Sequence, residues 1–221
     1  MSILNQLAEF YKTDKAGTMH NYAVKYEKYL PFNRYDNLKI LEIGVLRGES
    51  VKMWKDYFYR SQIIGVDIDS NCQQYEEERI NIEIGSQIDD DFLKRVSNKY
   101  GPFDMILDDG SHMNSHQIFS FEHLFKTINS GGVYIVEDCC TSYWEEYDGG
   151  RYKKGTAIEY FKGVVDEVNF FGELSEAPGG GVHHRNEQPL IEQFRKKGYN
   201  YIGTQIESLN FLNGIILITK R

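Results

Sequence analysis

Cysteine is scarce in this chain of 221 residues: Cys72, Cys139 and Cys140 are all it has. Three thiols, two of them adjacent, make no disulfide framework, because neighbouring cysteines bridge each other only under strain. Basic residues are outnumbered, 25 Lys and Arg against 33 Asp and Glu, leaving a formal net charge of −8. A surface of that sign repels a phosphate backbone, so nucleic acid is not an expected partner. Long apolar runs are missing as well; none approaches the roughly 20 residues needed to span a bilayer. The opening "MSILNQLAEFYK" lacks the basic and apolar regions of a signal peptide. These absences point to a reduced, cytoplasmic protein without a membrane partner. The 41% hydrophobic content suffices for the core of one sizeable domain.

What is present is a rhythm of short apolar runs at 39–45, 62–68, 81–85, 103–109, 132–138, 199–204 and 214–220. Several lack alternation, as central strands covered on both faces do. Helical patterns separate them. Val51, Trp54 and Phe58 form one stripe over 49–58. Ile118, Phe121, Phe125 and Ile128 form another over 115–128, with Asn114 or Ser115 as its N-cap. A third helix is expected over 157–168. Strand and helix in alternation predict an α/β, Rossmann-like, doubly wound seven-stranded sheet, mostly parallel. Only "QIESLNFLN" separates the last two strands, too short for a crossover helix, so the last strand is expected to run antiparallel. Residues 1–35 read as an N-terminal helical segment and 140–190 as a lid or dimer-contact insertion, within a single domain spanning 1–221. A homo-oligomer is one expectation from that insertion. The tandem His183-His184 in its Gly-rich part is not counted as a site.

In open α/β sheets, ligands bind beyond the carboxyl ends of the strands, where strand order reverses. The first strand ends "EIGVLRGES", in which Gly44 and Gly48 permit a tight turn before a helix that opens near Ser50. The pattern is acidic-x-G-x-x-x-G and not the dinucleotide G-x-G-x-x-G. Glu42 would repel a pyrophosphate but would suit a cofactor with a positive amino-acid and sulfonium end. Asp67 ends the second strand, 23 positions after Gly44, where a carboxylate takes ribose hydroxyls. Gln87 and Asp89 follow the third strand as polar groups for an adenine edge. Each feature alone is weak, and each acid has an ordinary reading as a helix cap. Together they favour S-adenosylmethionine over NAD.

The fourth strand runs into "MILDDGSHMNSHQ" and the fifth into "VEDCC". Asp109 and His112 lie at one turn, Glu137 and Asp138 at the next. Asp108 precedes them at the cofactor cleft. Within a regular strand Glu137 and Asp138 would point to opposite faces; they converge only if the strand is ending. Three carboxylates, Asp109, Glu137 and Asp138, without a compensating lysine would repel one another, so either they protonate or a cation neutralises them. Hard oxygen donors suit Mg²⁺ or Mn²⁺ and not zinc. His112 then remains free as a general base, imidazole being the side chain that titrates nearest neutral pH. The alternative is that the aspartates cap helices and His112 is a loop residue. An acceptor with vicinal hydroxyls, such as a sugar, fits such a metal. Tyr143, Trp144 and Tyr147 either stack on that ring or belong to the core.

The combination "ILEIGVLRGES", "GVDID", "GSQIDDDFL", "FDMILDDGSH", "GGVYIVEDCCTSYW" and "GTAIEYFK" resembles the metal-dependent sugar O-methyltransferases typified by macrocin and mycinamicin O-methyltransferases. The resemblance covers roughly 10–165 and the last strand. It implies a class I methyltransferase fold with Mg²⁺ on Asp109, Glu137 and Asp138 and with His112 as base. Through "TDKAGTMHNYAVKYE" it also implies that Lys15, His20 and Tyr22 approach cofactor or substrate. Cys139-Cys140 departs from the family's usual Leu-His-type pair. Two other classes remain: an NAD-dependent oxidoreductase, against which Glu42 and the missing third glycine speak, and a non-catalytic binding module, which would be expected to lose the acids and His112.

Overall fold

Strands made of Ile, Leu and Val with no polar face must be covered on both sides, and here they are. The computed structural model describes residues 2–169, 196 and 202–221. Seven strands form one sheet: β1 (Lys39–Ile43), β2 (Gln62–Asp67), β3 (Ile80–Ile84), β4 (Phe103–Asp108), β5 (Ile128–Val136), β6 (Ile206–Leu212) and β7 (Ile215–Lys220). Their order is β3-β2-β1-β4-β5-β7-β6. β1 to β5 pair in parallel, while β7 runs antiparallel to both β5 and β6. The class I methyltransferase architecture expected from the sequence is therefore present, with the last strand antiparallel. Strand order reverses between β1 and β4, which is where a cleft opens in such sheets.

Alternate residues of each strand serve two apolar layers. Ile40, Met105, Leu107, Val133, Ile135 and Leu217 face one layer, with Val51, Met53 and Trp54 of α3 (Glu49–Tyr57). Leu41, Ile106, Tyr134, Val136 and Ile218 face the other, with α4 (Asp90–Tyr100), α5 (Asn114–Leu124) and α6 (Ala157–Val168). The N-terminal segment joins the first layer. Helix α1 (Ile3–Tyr11) contributes Leu4 and Ala8, and α2 (Tyr22–Tyr29) contributes Tyr22, Ala23 and Tyr26. Tyr26 and Trp54 are wholly buried, with ring centroids 5.5 Å apart. No described helix is long and apolar enough to cross a membrane.

Several boundaries differ from expectation. The apolar run at 199–204 is not the sixth strand: 199–201 lie outside the described residues, Ile202–Gln205 form a 3-10 turn, and β6 follows at Ile206–Leu212. β6 is partly exposed, and its alternation was hidden inside "QIESLNFLN". Neither Asn114 nor Ser115 caps α5; Met113 holds the N-cap position, and the Asn114 side chain instead accepts from Ser142 Oγ and Ala157 N–H, both at 2.7 Å. That bond ties α5 to α6, so tertiary contact overrides local capping preference. His183-His184 and much of the 140–190 excursion lie outside the described residues.

Candidate active site

The cleft is built at the carboxyl ends of β1, β2 and β4. Gly44 follows β1 with φ of 95°, and a Cβ there would lie 2.0 Å from the carbonyl oxygen of Asp109. Glycine is required twice over, by backbone sign and by the close approach of the β4 turn. Gly48 caps α3 in the left-handed region, with a Cβ position only 2.6 Å from the Tyr75 ring. A cavity of about 580 Å³ lies above these turns. Gly44, Ser50, Asp67, Gln87, Asp109 and His112 all line it, as does Lys15 from the N-terminal loop.

Asp67 is held chiefly by backbone N–H groups. Its Oδ2 accepts from the N–H groups of Val45 (2.8 Å) and Leu46 (3.0 Å), and its Oδ1 from Asp69 N–H (2.9 Å). Partial burial pushes its pKa up, but these three donors, joined by the Cys72 thiol, outweigh it and hold the carboxyl below its ordinary value. Asp108, at the end of β4, has the opposite fate. It is fully buried beneath the cavity and not in its lining, bonded to Gln87 Nε2 (3.1 Å) and Tyr134 Oη (3.3 Å). Burial pushes its carboxyl up to about 6. Gln87 also donates to Ser120 Oγ and accepts from Ser111 N–H, which locks the turn after β4. Asp89 lies apart from the cavity lining. It is exposed and caps α4, accepting from Phe92 N–H at 3.0 Å.

The acidic rim forms because two strands end side by side. Asp109 N–H donates to Ile43 O (2.9 Å) and Glu137 N–H to Asp108 O (3.0 Å), which extends both parallel ladders by one residue. There the backbone turns. His112 and Asp138 both take positive φ, 58° and 51°. For residues other than glycine such conformations cost on the order of 1–3 kcal/mol and concentrate at functional sites. The turn at Asp138 sends the two neighbouring acids apart. Asp138 Oδ1 accepts from Tyr22 Oη (2.7 Å), and its Oδ2 lies 3.7 Å from His112 Nε2. Glu137 is buried on the inner side, accepting from Tyr26 Oη and from Lys15 Nζ (3.0 Å).

Lys15 is the compensating cation that sequence reasoning took to be absent. Its side chain is 1% exposed, and its Nζ bonds Asp109 Oδ2 and Glu137 Oε2, with Glu42 Oε1 at 3.9 Å. Burial pulls the ammonium pKa down, yet the surrounding carboxylates carry it well above its ordinary value. Desolvation lifts the carboxyls of Asp109 and Glu137, against the pull of Lys15. Glu42 is wholly enclosed, and burial pushes it up to about 8. It lies behind the cavity, outside the lining. Tyr22 and His20 do not line the cavity either; His20 is exposed and stacks on Tyr22, with centroids 5.2 Å apart.

Among the described residues, Asp109, His112 and Asp138 are the group whose donor atoms all lie within 4.8 Å of one another. The expected trio is thus brought together in two members, Asp109 and Asp138, with His112 rather than Glu137 as the third. Glu137 stands behind them because a left-handed residue follows it. The Nδ1 of His112 is buried without a hydrogen-bond partner. Two carboxylates and an imidazole at the mouth of a cavity suit a hard divalent cation. Residues missed by the sequence reading include Tyr26, whose hydroxyl orients Glu137, and His116, which lines the cavity with Nδ1 2.7 Å from Ser111 Oγ. A period-3.6 pattern marks Tyr26 only as core, and no local signal marks its partner 111 residues away.

No protein-family model matches the chain. It is 39% identical over 191 residues to the L-olivosyl-oleandolide 3-O-methyltransferase of Streptomyces antibioticus, covering 81% of this chain and 48% of that protein. The mycinamicin VI 2''-O-methyltransferase of Micromonospora griseorubida is 37% identical over 175 residues, covering 75% and 44%. The chain belongs to the family of these O-methyltransferases. Among solved structures, the MycE methyltransferase of the mycinamycin pathway, in complex with Mg, SAH and mycinamycin VI, superposes with a TM-score of 0.80 at 30% identity. That match covers 98% of this chain and 54% of the other. The chain spans about half the length of the family members it matches.

Proposed function

We propose that this chain transfers a methyl group from S-adenosylmethionine to a hydroxyl of a sugar or sugar-bearing small molecule, with Mg²⁺ or Mn²⁺ as cofactor. One observation carries the reading: the cavity framed by Gly44 and Asp67 is also lined by Asp109 and His112, whose donor atoms group with Asp138. Asp67 would take the ribose hydroxyls with lone pairs left over from its three backbone contacts. Leu46 and Ile68, 72% and 76% exposed at the cavity wall, offer apolar cover for a purine. Gln87 lies within the same wall, while Asp89 would reach the adenine only by leaving its cap.

Asp109 and Asp138 would hold the divalent cation from the ends of β4 and β5, with Glu137 directly behind them. When bound, such an ion lowers the pKa of an acceptor hydroxyl and is satisfied best by two vicinal ones. His112 Nε2 would take the hydroxyl proton, and Asp138 Oδ2 at 3.7 Å would stabilise the imidazolium that results. Tyr22 orients Asp138. Tyr143 and Trp144 are about half exposed, and the Tyr147 ring lies 6.5 Å from His112. Tyr143 and Trp144 are not core residues, and Tyr147, whose ring centroid lies 5.9 Å from that of Trp144, would offer a platform for a sugar face. Holding acceptor and methyl donor at reacting distance supplies much of the rate.

Incubating the protein with S-adenosylmethionine and macrolide glycosides bearing free vicinal hydroxyls tests this directly. Mass spectrometry should show the gain of one methylene unit with Mg²⁺ and none in EDTA. Equal product in chelator would remove the metal from the reading. Absence of S-adenosylhomocysteine binding by calorimetry would remove the cofactor.

A further inference from the structure

Lys15 belongs to a loop more than 90 residues from the acids it touches, yet it is among the largest fully buried side chains of the protein. The loop is anchored at both ends: Thr13 N–H donates to Ala8 O of α1 (3.1 Å), and Ala23 N–H of α2 donates to Lys15 O (2.9 Å). An ammonium has three N–H donors. Two are used on Asp109 and Glu137, and the carboxylates of Asp14 and Glu42 follow at 3.8 and 3.9 Å. The donors of Lys15 are directed to the carboxylates.

We infer that Lys15 is a resident counter-ion of the acidic rim, a positioning residue that holds Asp109 and Glu137 in place before a divalent cation arrives. The inference rests on the metal-dependent reading above and extends it. Asp109 is the shared element: it bonds Lys15 and also belongs to the group with His112 and Asp138. Without Lys15, buried Glu137 and partly buried Asp109 lose their partner charge, and the rim depends on the metal for its fold. The same loss of positive charge strengthens the attraction for a divalent ion.

The test compares wild type, Lys15→Met and the double variant Lys15→Met/Glu137→Gln by thermal melting in EDTA and in Mn²⁺. Mn²⁺ affinity is read by electron paramagnetic resonance and S-adenosylhomocysteine affinity by calorimetry. In chelator, Lys15→Met should melt about 10 °C below wild type. Mn²⁺ should restore most of that loss, and the double variant should restore part of it without metal. Mn²⁺ should bind Lys15→Met about tenfold more tightly than wild type, with cofactor affinity unchanged. An equal loss with and without Mn²⁺, or a fall in cofactor affinity at constant Mn²⁺ affinity, would overturn the inference. So would a double variant that folds no better than Lys15→Met. If wild type binds no Mn²⁺, the metal reading fails, while the chelator melts and the double variant still decide the role of Lys15.

Discussion

The two halves of the cleft hold their acids by different means. On the β1–β2 side, Asp67 is bound by three backbone N–H groups from residues at most 22 positions away. On the β4–β5 side, Asp109 and Glu137 are bound by Lys15, 94 and 122 positions away. Backbone donors come with the turn and are lost by substitution only to proline. A lysine can be lost, and its contact forms only when the N-terminal loop docks. The first half is thus rigid and locally encoded, whereas the second is assembled from three separate parts of the chain.

The proposed chemistry lies in the assembled half, so the largest effect is expected there. His112→Ala should lower kcat by about 10²–10⁴-fold in steady-state kinetics, the usual contribution of a general base. Cofactor affinity should stay near wild type. Loss of Mn²⁺ affinity in the same variant would instead make His112 a ligand, as its grouping with Asp109 and Asp138 allows.

A smaller effect is expected in the locally encoded half. Asp67→Asn keeps an acceptor for the Val45 and Leu46 amides but loses the charge. It should weaken S-adenosylhomocysteine binding by about tenfold, the scale of one charged hydrogen bond. Calorimetry reads this, and unchanged affinity would move the ribose site away from β2.

The smallest effect sharpens the contrast between two aspartates of one cleft. Burial raises Asp108 from 3.8 to about 6, so the native state holds its proton more tightly than the unfolded chain. Stability then falls as pH rises through that window and is constant on either side. Asp108→Asn removes the penalty while keeping an acceptor toward Gln87. At pH 7 it should raise the melting temperature by about 2–4 °C, equivalent to about 1 kcal/mol after the altered hydrogen bonds are allowed for. At pH 4 the difference should shrink towards zero. A gain that persists undiminished at pH 4 would mean that the carboxylate charge is not its cause. Asp67 has the opposite sign: its depressed carboxyl contributes stability above its ordinary value of 3.8 that is lost as pH falls through the lower folded value.

How much of this was legible in the sequence follows the same division. Apolar runs bounded by glycine located β1 to β5 and β7 to within a few residues, because burial on both faces leaves no freedom for polar side chains. β6 was misplaced because an edge strand beside β7 is half exposed and reads like a loop. Gly44 and Asp67 were legible because a turn beyond a parallel strand imposes backbone geometry that few residues tolerate. Asp109, His112 and Asp138 were legible as chemistry-bearing residues at adjacent strand ends. Their sorting was not, since the left-handed turn at Asp138 sends Glu137 inward and leaves His112 beside the two aspartates.

The sequence by itself determined the sheet, the glycine turn and the presence of acids at the rim, since each follows from contacts within one βα unit. Only the tertiary structure decided which charge neutralises those acids. Lys15 reaches Asp109 and Glu137 because α1 and α2 pack through Leu4, Ala8, Ala23 and Tyr26 into the same apolar layer as β1 and α3. Charge attraction in a buried site depends on distance and desolvation, and neither quantity exists until that layer closes.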